Sequence, residues 1–86
     1  MTKRFAISFE LDNNRYYDSL FRRLLNLGAV PVLPTQWILL TSLVGDQIKR
    51  DLQNHIEPTD RLLVTQVASM SFRNLINSDE FERGAA

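Results

Sequence analysis

Phe5, Ile7, Phe9 and Leu11 alternate with Ala6, Ser8 and Glu10, and this period of two predicts a strand with one strongly apolar face and one small or polar face. Asp12-Asn13-Asn14 follows, with short side chains able to accept hydrogen bonds from the free amides of a helix start. Tyr17, Leu20, Phe21, Leu24 and Leu25 then recur at steps of three and four, the stripe of an amphipathic helix, while Arg15, Arg22, Arg23 and Asn26 fall largely outside it. Gly28 sits where such a helix takes a left-handed cap. Pro31 and Pro34 mark the short apolar run Ala29 to Leu33 as an edge or bulged strand, because proline cannot donate to a ladder. After a tight turn near Pro34, the β-branched and aromatic run from Thr35 to Thr41 predicts a better strand. Ser42 offers a cap for a second helix, in which Val44, Ile48, Leu52 and Ile56 step by fours before Pro58 stops it. Arg61 to Ala68 carries apolar residues on both faces and predicts a last, central strand.

The order strand, helix, strand, strand, helix, strand is the split βαβ arrangement. The expected class is α+β: a ferredoxin-like domain over residues 1–70, with an antiparallel four-stranded sheet and both helices on one face. Residues 71–86, with Phe72, Leu75, Ile76 and Phe81 among polar positions, are expected to form a short helix or an arm. Such a domain leaves its other sheet face bare, a larger apolar patch than most monomers tolerate. Face-to-face pairing of two copies covers it, so a homodimer is expected, with Ala6, Ser8 and Glu10 at the interface.

A chain of 86 residues leaves no room for a second domain and buries a thin core, which favours association further. Ten basic and ten acidic residues cancel, so no global field draws the chain onto nucleic acid, and any such contact must be local. With no cysteine and the single His55, disulfides, thiolate metal sites and cysteine nucleophiles are excluded, as is a histidine-rich zinc site. No apolar run reaches the roughly 20 residues that cross a bilayer, and Met1-Thr2-Lys3-Arg4-Phe5 lacks the stretch of a signal peptide. The expectation is a cytoplasmic protein with no membrane partner.

Glu10 and Asp12 lie two positions apart where the first strand ends, so both carboxylates can share one side of the sheet rim and hold a hard cation, Mg2+ or Mn2+. A twofold axis nearby would add the second copy's Glu10. The same two residues also fit, and more simply, a strand end at the solvent boundary followed by an Asx turn or cap, and the sequence leaves both readings open. Arg15, Arg22 and Arg23, with Lys3, Arg4, Lys49 and Arg50, are candidates for a phosphate-binding surface. Asp18 stands four positions before Arg22, so a solvated, internally paired helix face explains part of that pattern without a ligand. His55 is expected to interact with the last carbonyls of its helix. Trp37 is expected in the core or at an interface; Tyr16 and Tyr17 beside Arg15 are candidates for base stacking, although the place of Tyr17 on the apolar stripe points to core packing.

The strand Arg4 to Leu11, the Leu27-Gly28-Ala29 turn, the Thr35-Gln36-Trp37 segment and the run Asp60-Arg61-Leu62-Leu63-Val64 together resemble the small CRISPR-associated Cas-two family, in its Cas-two-like or SinR-like branch. The resemblance covers roughly residues 4–68. Phe9-Glu10 matches the family's aromatic-Asp pair, and Thr35-Gln36-Trp37 matches its Ser-x-Phe element. The resemblance implies a ferredoxin-like homodimer, sheet against sheet, with acidic residues near the twofold axis. It also implies a divalent-metal-dependent nuclease with Glu10 as the catalytic ligand, or a DNA-binding subunit that works beside an integrase in CRISPR spacer acquisition. Glu10 stands where the family has Asp, and the extra methylene moves the carboxylate by about 1.5 Å. Neutral charge and this altered acid keep a second function open, a non-catalytic dimeric interaction or regulatory module.

Overall fold

A computed structural model of the chain describes residues 2–12 and 17–77. Strand β1 spans Lys3–Glu10, helix α1 Asp18–Leu27, β2 Val30–Leu33, β3 Gln36–Thr41, α2 Gly45–Leu52 and β4 Arg61–Gln66. The four strands form one antiparallel sheet in the order β2-β3-β1-β4, the α+β, ferredoxin-like arrangement that the sequence predicts.

The alternation in β1 sorts the two sheet faces. Phe5, Ile7 and Phe9 are buried, and the register aligns Ile7 with Trp37 of β3 and Val64 of β4. Leu20 and Leu24 of α1, with Ile48 and Leu52 of α2, complete this main core at no measurable exposure. Phe21 stacks on Trp37 with ring centroids 6.2 Å apart and tilts against Phe9 at 6.0 Å, so the expected core roles of Tyr17 and Trp37 hold. Helix α1 ends at Gly28, whose φ of 90° lies in the left-handed region. There the N–H groups of Gly28 and Ala29 reach back to the carbonyls of Leu25 and Leu24, the bond pair of a Schellman ending.

The second helix differs from expectation at both ends. Its cap residue is Val44, not Ser42, and the Gln47 side chain accepts the Val44 N–H at 3.0 Å. After Leu52 the chain tightens into a 3-10 turn over Gln53–His55, and Ile56 is already extended, so the last step of the four-residue pattern lies outside the helix. Strand β4 is an edge strand, not a central one: among the described residues β1 is its single neighbour in the sheet, and Leu63 is 61% exposed on the face away from the helices. A continuous apolar run reads the same whether it is buried on both sides or rests at an edge with one side open.

The helix-free face is not bare. From Val67, whose N–H donates to the Arg4 carbonyl at 2.8 Å, the chain runs back across this face without regular structure. Met70, Phe72 and Leu75 pack there on buried Val32 and Ile38, with Ala6 and Val30 alongside. This strap then fastens to β2: the Ile76 N–H donates to the Val32 carbonyl at 3.0 Å, and the Asn77 side-chain amide to the Pro31 carbonyl at 2.9 Å. A register shift between Pro31 and Leu33 breaks the β2–β3 ladder at Val32, as the two prolines suggest, and that residue joins the second core. Residues 71–77 are thus an arm rather than a helix, while 78–86 lie outside the described residues. Asn74 and Asn77 adopt left-handed φ values of 57° and 58°, which asparagine tolerates better than most residues.

The division between core and surface predicts the cost of substitution. Leu52→Ala, at a fully buried site, should lower the unfolding free energy by about 2–5 kcal/mol in urea titration. Leu40→Ala, at a site 59% exposed, should change it by no more than about 0.5 kcal/mol.

Candidate functional site

The open half of the helix-free face is built from alternate residues of three strands. Register places Gln36, Ser8 and Leu63 in one row across β3, β1 and β4, with Glu10 and Arg61 in the next. Gln36 donates from its side-chain amide to the Ser8 hydroxyl at 2.8 Å, and Arg61 forms an exposed cross-strand ion pair with Glu10. Ser8, Glu10, Arg61 and Leu63, with Phe9 and Leu62, border a shallow depression of about 250 Å³. Of the three expected interface positions, Ser8 and Glu10 border this open half, while Ala6 belongs to the second core beneath the strap. The strap and the sheet enclose a further cavity of about 320 Å³ that reaches Ala6, Gln36 and Phe72.

Glu10 and Asp12 are drawn to different partners. Glu10 pairs with the Arg61 guanidinium, whereas the Asp12 backbone N–H donates to Asp60 Oδ1 at 2.6 Å. Asp60 is a junction that the sequence marks only as a turn residue. Its carboxylate also accepts from the Tyr17 hydroxyl at 3.0 Å and from the Glu57 N–H at 2.8 Å, tying the chain on both sides of residues 13–16 to the turn before β4. Among the described residues, no three His, Asp or Glu side chains converge as a metal site would require.

Four of the candidate phosphate-binding cations, Arg22, Arg23, Lys49 and Arg50, carry carboxylate partners. Arg22 pairs with Asp18, the intrahelical contact expected from their spacing. Arg23 holds Asp51 of α2 through hydrogen bonds of 2.6, 2.9 and 3.0 Å, a forked pair that joins the two helices. Arg50 and Lys49 both lie near Asp46, at 2.8 and 3.6 Å. Arg15 and Tyr16 lie outside the described residues.

His55 does not turn to the carbonyls of its helix. Its Nδ1 shares a hydrogen bond of 2.5 Å with the Ser19 hydroxyl of α1, and its Nε2 stands 3.8 Å from Asp51 Oδ1. Ser19, His55 and Asp51 are the residue types of a nucleophilic triad, but here Asp51 is spent on Arg23. The cluster works as a clasp between α1 and α2. Only the four-residue spacing of Asp51 and His55 was visible in the sequence; Ser19 and Arg23 arrive through tertiary packing. The hydrogen bonds from Arg23 hold the Asp51 carboxyl below the usual carboxylate range, against the opposing effect of burial, and the charges of Arg23 and His55 add to the lowering. Arg23 is correspondingly shifted up by Asp51.

No family model, no curated protein and no solved structure matches this chain. Among the described residues, no helix is long and apolar enough to cross a membrane.

A carboxyl whose folded pKa is lowered stabilises the fold above its unfolded pKa, and that contribution disappears as pH falls through the folded value. Asp51→Asn should therefore lower the melting temperature at neutral pH, where wild-type Asp51 is ionised and paired. The gap between wild type and variant should close progressively below about pH 4, as read by thermal melts across the acid range.

Proposed function

We propose that this chain is a non-catalytic interaction module that forms a homodimer through the open half of its helix-free face. The observation that carries this reading is Leu63, 61% exposed beside the exposed Glu10–Arg61 pair on a face that the strap covers only in part. Glu10 and Arg61 have opposite charge and adjacent places, so a twofold axis lets each pair answer its copy, while the two Leu63 side chains leave water together. The net charge of zero suits self-association better than a scaffold role on DNA, which calls for many phosphate contacts. The likeness to the Cas-two family supports the same sheet-against-sheet geometry.

The competing reading, a Mg2+- or Mn2+-dependent nuclease or a spacer-acquisition subunit, needs Glu10 to release Arg61 and bind metal. Sedimentation should give a mass about twice the 10.0 kDa of one chain, and Leu63→Glu should return a monomer that keeps its far-UV spectrum. A monomeric wild type would end the dimer reading. Incubation of labelled DNA and RNA with either metal should leave both intact. Cleavage abolished by EDTA and by Glu10→Gln would put the nuclease in the module's place.

A further inference from the structure

The second core is built differently from the first, because a space stands inside it. The strap is tied to the sheet at both ends, by the Val67 N–H to the Arg4 carbonyl and by the Ile76 N–H to the Val32 carbonyl. Between these ties, Met70, Phe72 and Leu75 pack on Val32 and Ile38, with Ala6 alongside. Val32 and Ile38 are 1% and 4% exposed, yet the three strap residues facing them remain half-buried. All six border the cavity of about 320 Å³ between strap and sheet.

The chemistry of the lining selects what fits. Among the described residues that border the cavity none is ionisable, so a charged guest would lose its water and gain no counter-charge. Floor and roof present apolar side chains, whereas an ordered water needs roughly two to four polar partners. Polar side chains come only from Gln36, Ser69 and Ser71, and the two serines are exposed, which sets them at the mouth. Gln36 spends one amide hydrogen on Ser8, and its side-chain carbonyl oxygen is an acceptor. Phe72 and Met70 bring a ring and a thioether, both of which favour an aromatic neighbour. A closed apolar cavity of about 150 Å³ takes up benzene, so a space about twice as large suits a bicyclic ring.

We propose that the strap cavity binds a small neutral heteroaromatic molecule of indole size, with its ring between Phe72 and the floor at Ala6 and Ile38 and its N–H on Gln36. The ring completes the burial of the strap's apolar side chains, and this burial supplies the affinity. The single hydrogen bond supplies selectivity, as in other apolar pockets with few polar groups. A second copy is the poorer occupant. Two packed sheets stand about 10 Å apart, and the strap already takes up that layer above Ala6 and Ile38, so a docked copy meets the strap's outer side and not the space beneath it. The inference goes beyond the dimer reading and does not rest on it.

The test titrates indole into the full chain and follows amide chemical shifts by NMR. Binding should saturate with a Kd on the order of 0.1 mM, and the shifts should cluster at Ala6, Ile38, Met70 and Phe72 and spare α1 and α2. Ala6→Leu fills the floor and should weaken binding at least about tenfold in a chain whose circular dichroism is unchanged. Gln36→Leu should weaken indole about threefold to tenfold and leave the affinity for 1-methylindole, which has no N–H, as it was. No saturable binding at several millimolar indole, shifts centred on the helices, or affinity indifferent to both variants would overturn the proposal. So would binding that appears only in the Leu63→Glu monomer, which would make a side chain of a second copy the occupant. A wild-type dimer that takes up no indole ends this proposal alone, and a monomer that binds it ends the dimer reading alone.

Discussion

The rest of the molecule depends on β1 having a neighbour on either side. A strand in that position spends every backbone group, toward β3 on one phase and toward β4 on the other, and gives its side chains to two faces. Phe5, Ile7 and Phe9 then define the face that both helices must cover. Ala6, Ser8 and Glu10 define a second, shallower face, on which only Ala6 is packed into a core. The division between a deep core and a thin one is already present in eight residues.

Charge is arranged to be used up internally. Three carboxylates, Asp18, Asp46 and Asp51, face the cationic side chains of the two helices, and Glu10 faces Arg61 across the sheet. The Arg23–Asp51 pair, with His55 and Ser19 beside it, matters most for architecture because it spans two helices that otherwise touch sparingly. The exposed i,i+4 pairs stabilise little individually. Their effect is to leave the helical surface without a coherent positive field, which is why apolar exposure and open backbone groups, rather than charge, mark the surfaces with something left to offer. Arg4 is a local exception: among the described residues its Nε is buried without a hydrogen-bond partner, on the strap's side of the sheet.

Local pattern made much of this legible. The alternation from Phe5 to Leu11, the stripe through Leu20 and Leu24, the left-handed Gly28 and the proline-broken β2 each depend on residues a few positions apart, and the antiparallel α+β class followed from the succession of elements. The strap did not announce itself, because Met70, Phe72 and Leu75 have neither a helical nor a strand period and their partners lie more than thirty residues upstream. Asp60 resembled any turn aspartate; its role comes from Asp12 and Tyr17, which meet it only in the folded chain. For Glu10 and Asp12 the spacing was correct as geometry but silent on Arg61 and Asp60, the partners that decide what each residue does. The edge position of β4 was hidden because hydrophobicity records how much is buried, not on how many sides.

The fastening of the strap to β2 sets a limit on growth. A sheet with two open edges can add copies of itself without end, and that is the route to fibres. Here Ile76 and Asn77 occupy one edge, so a lateral addition can occur on one side only. Among the described residues β4 carries no such fastening, so two copies that met through β4 would turn only fastened edges outward, and growth would stop at two.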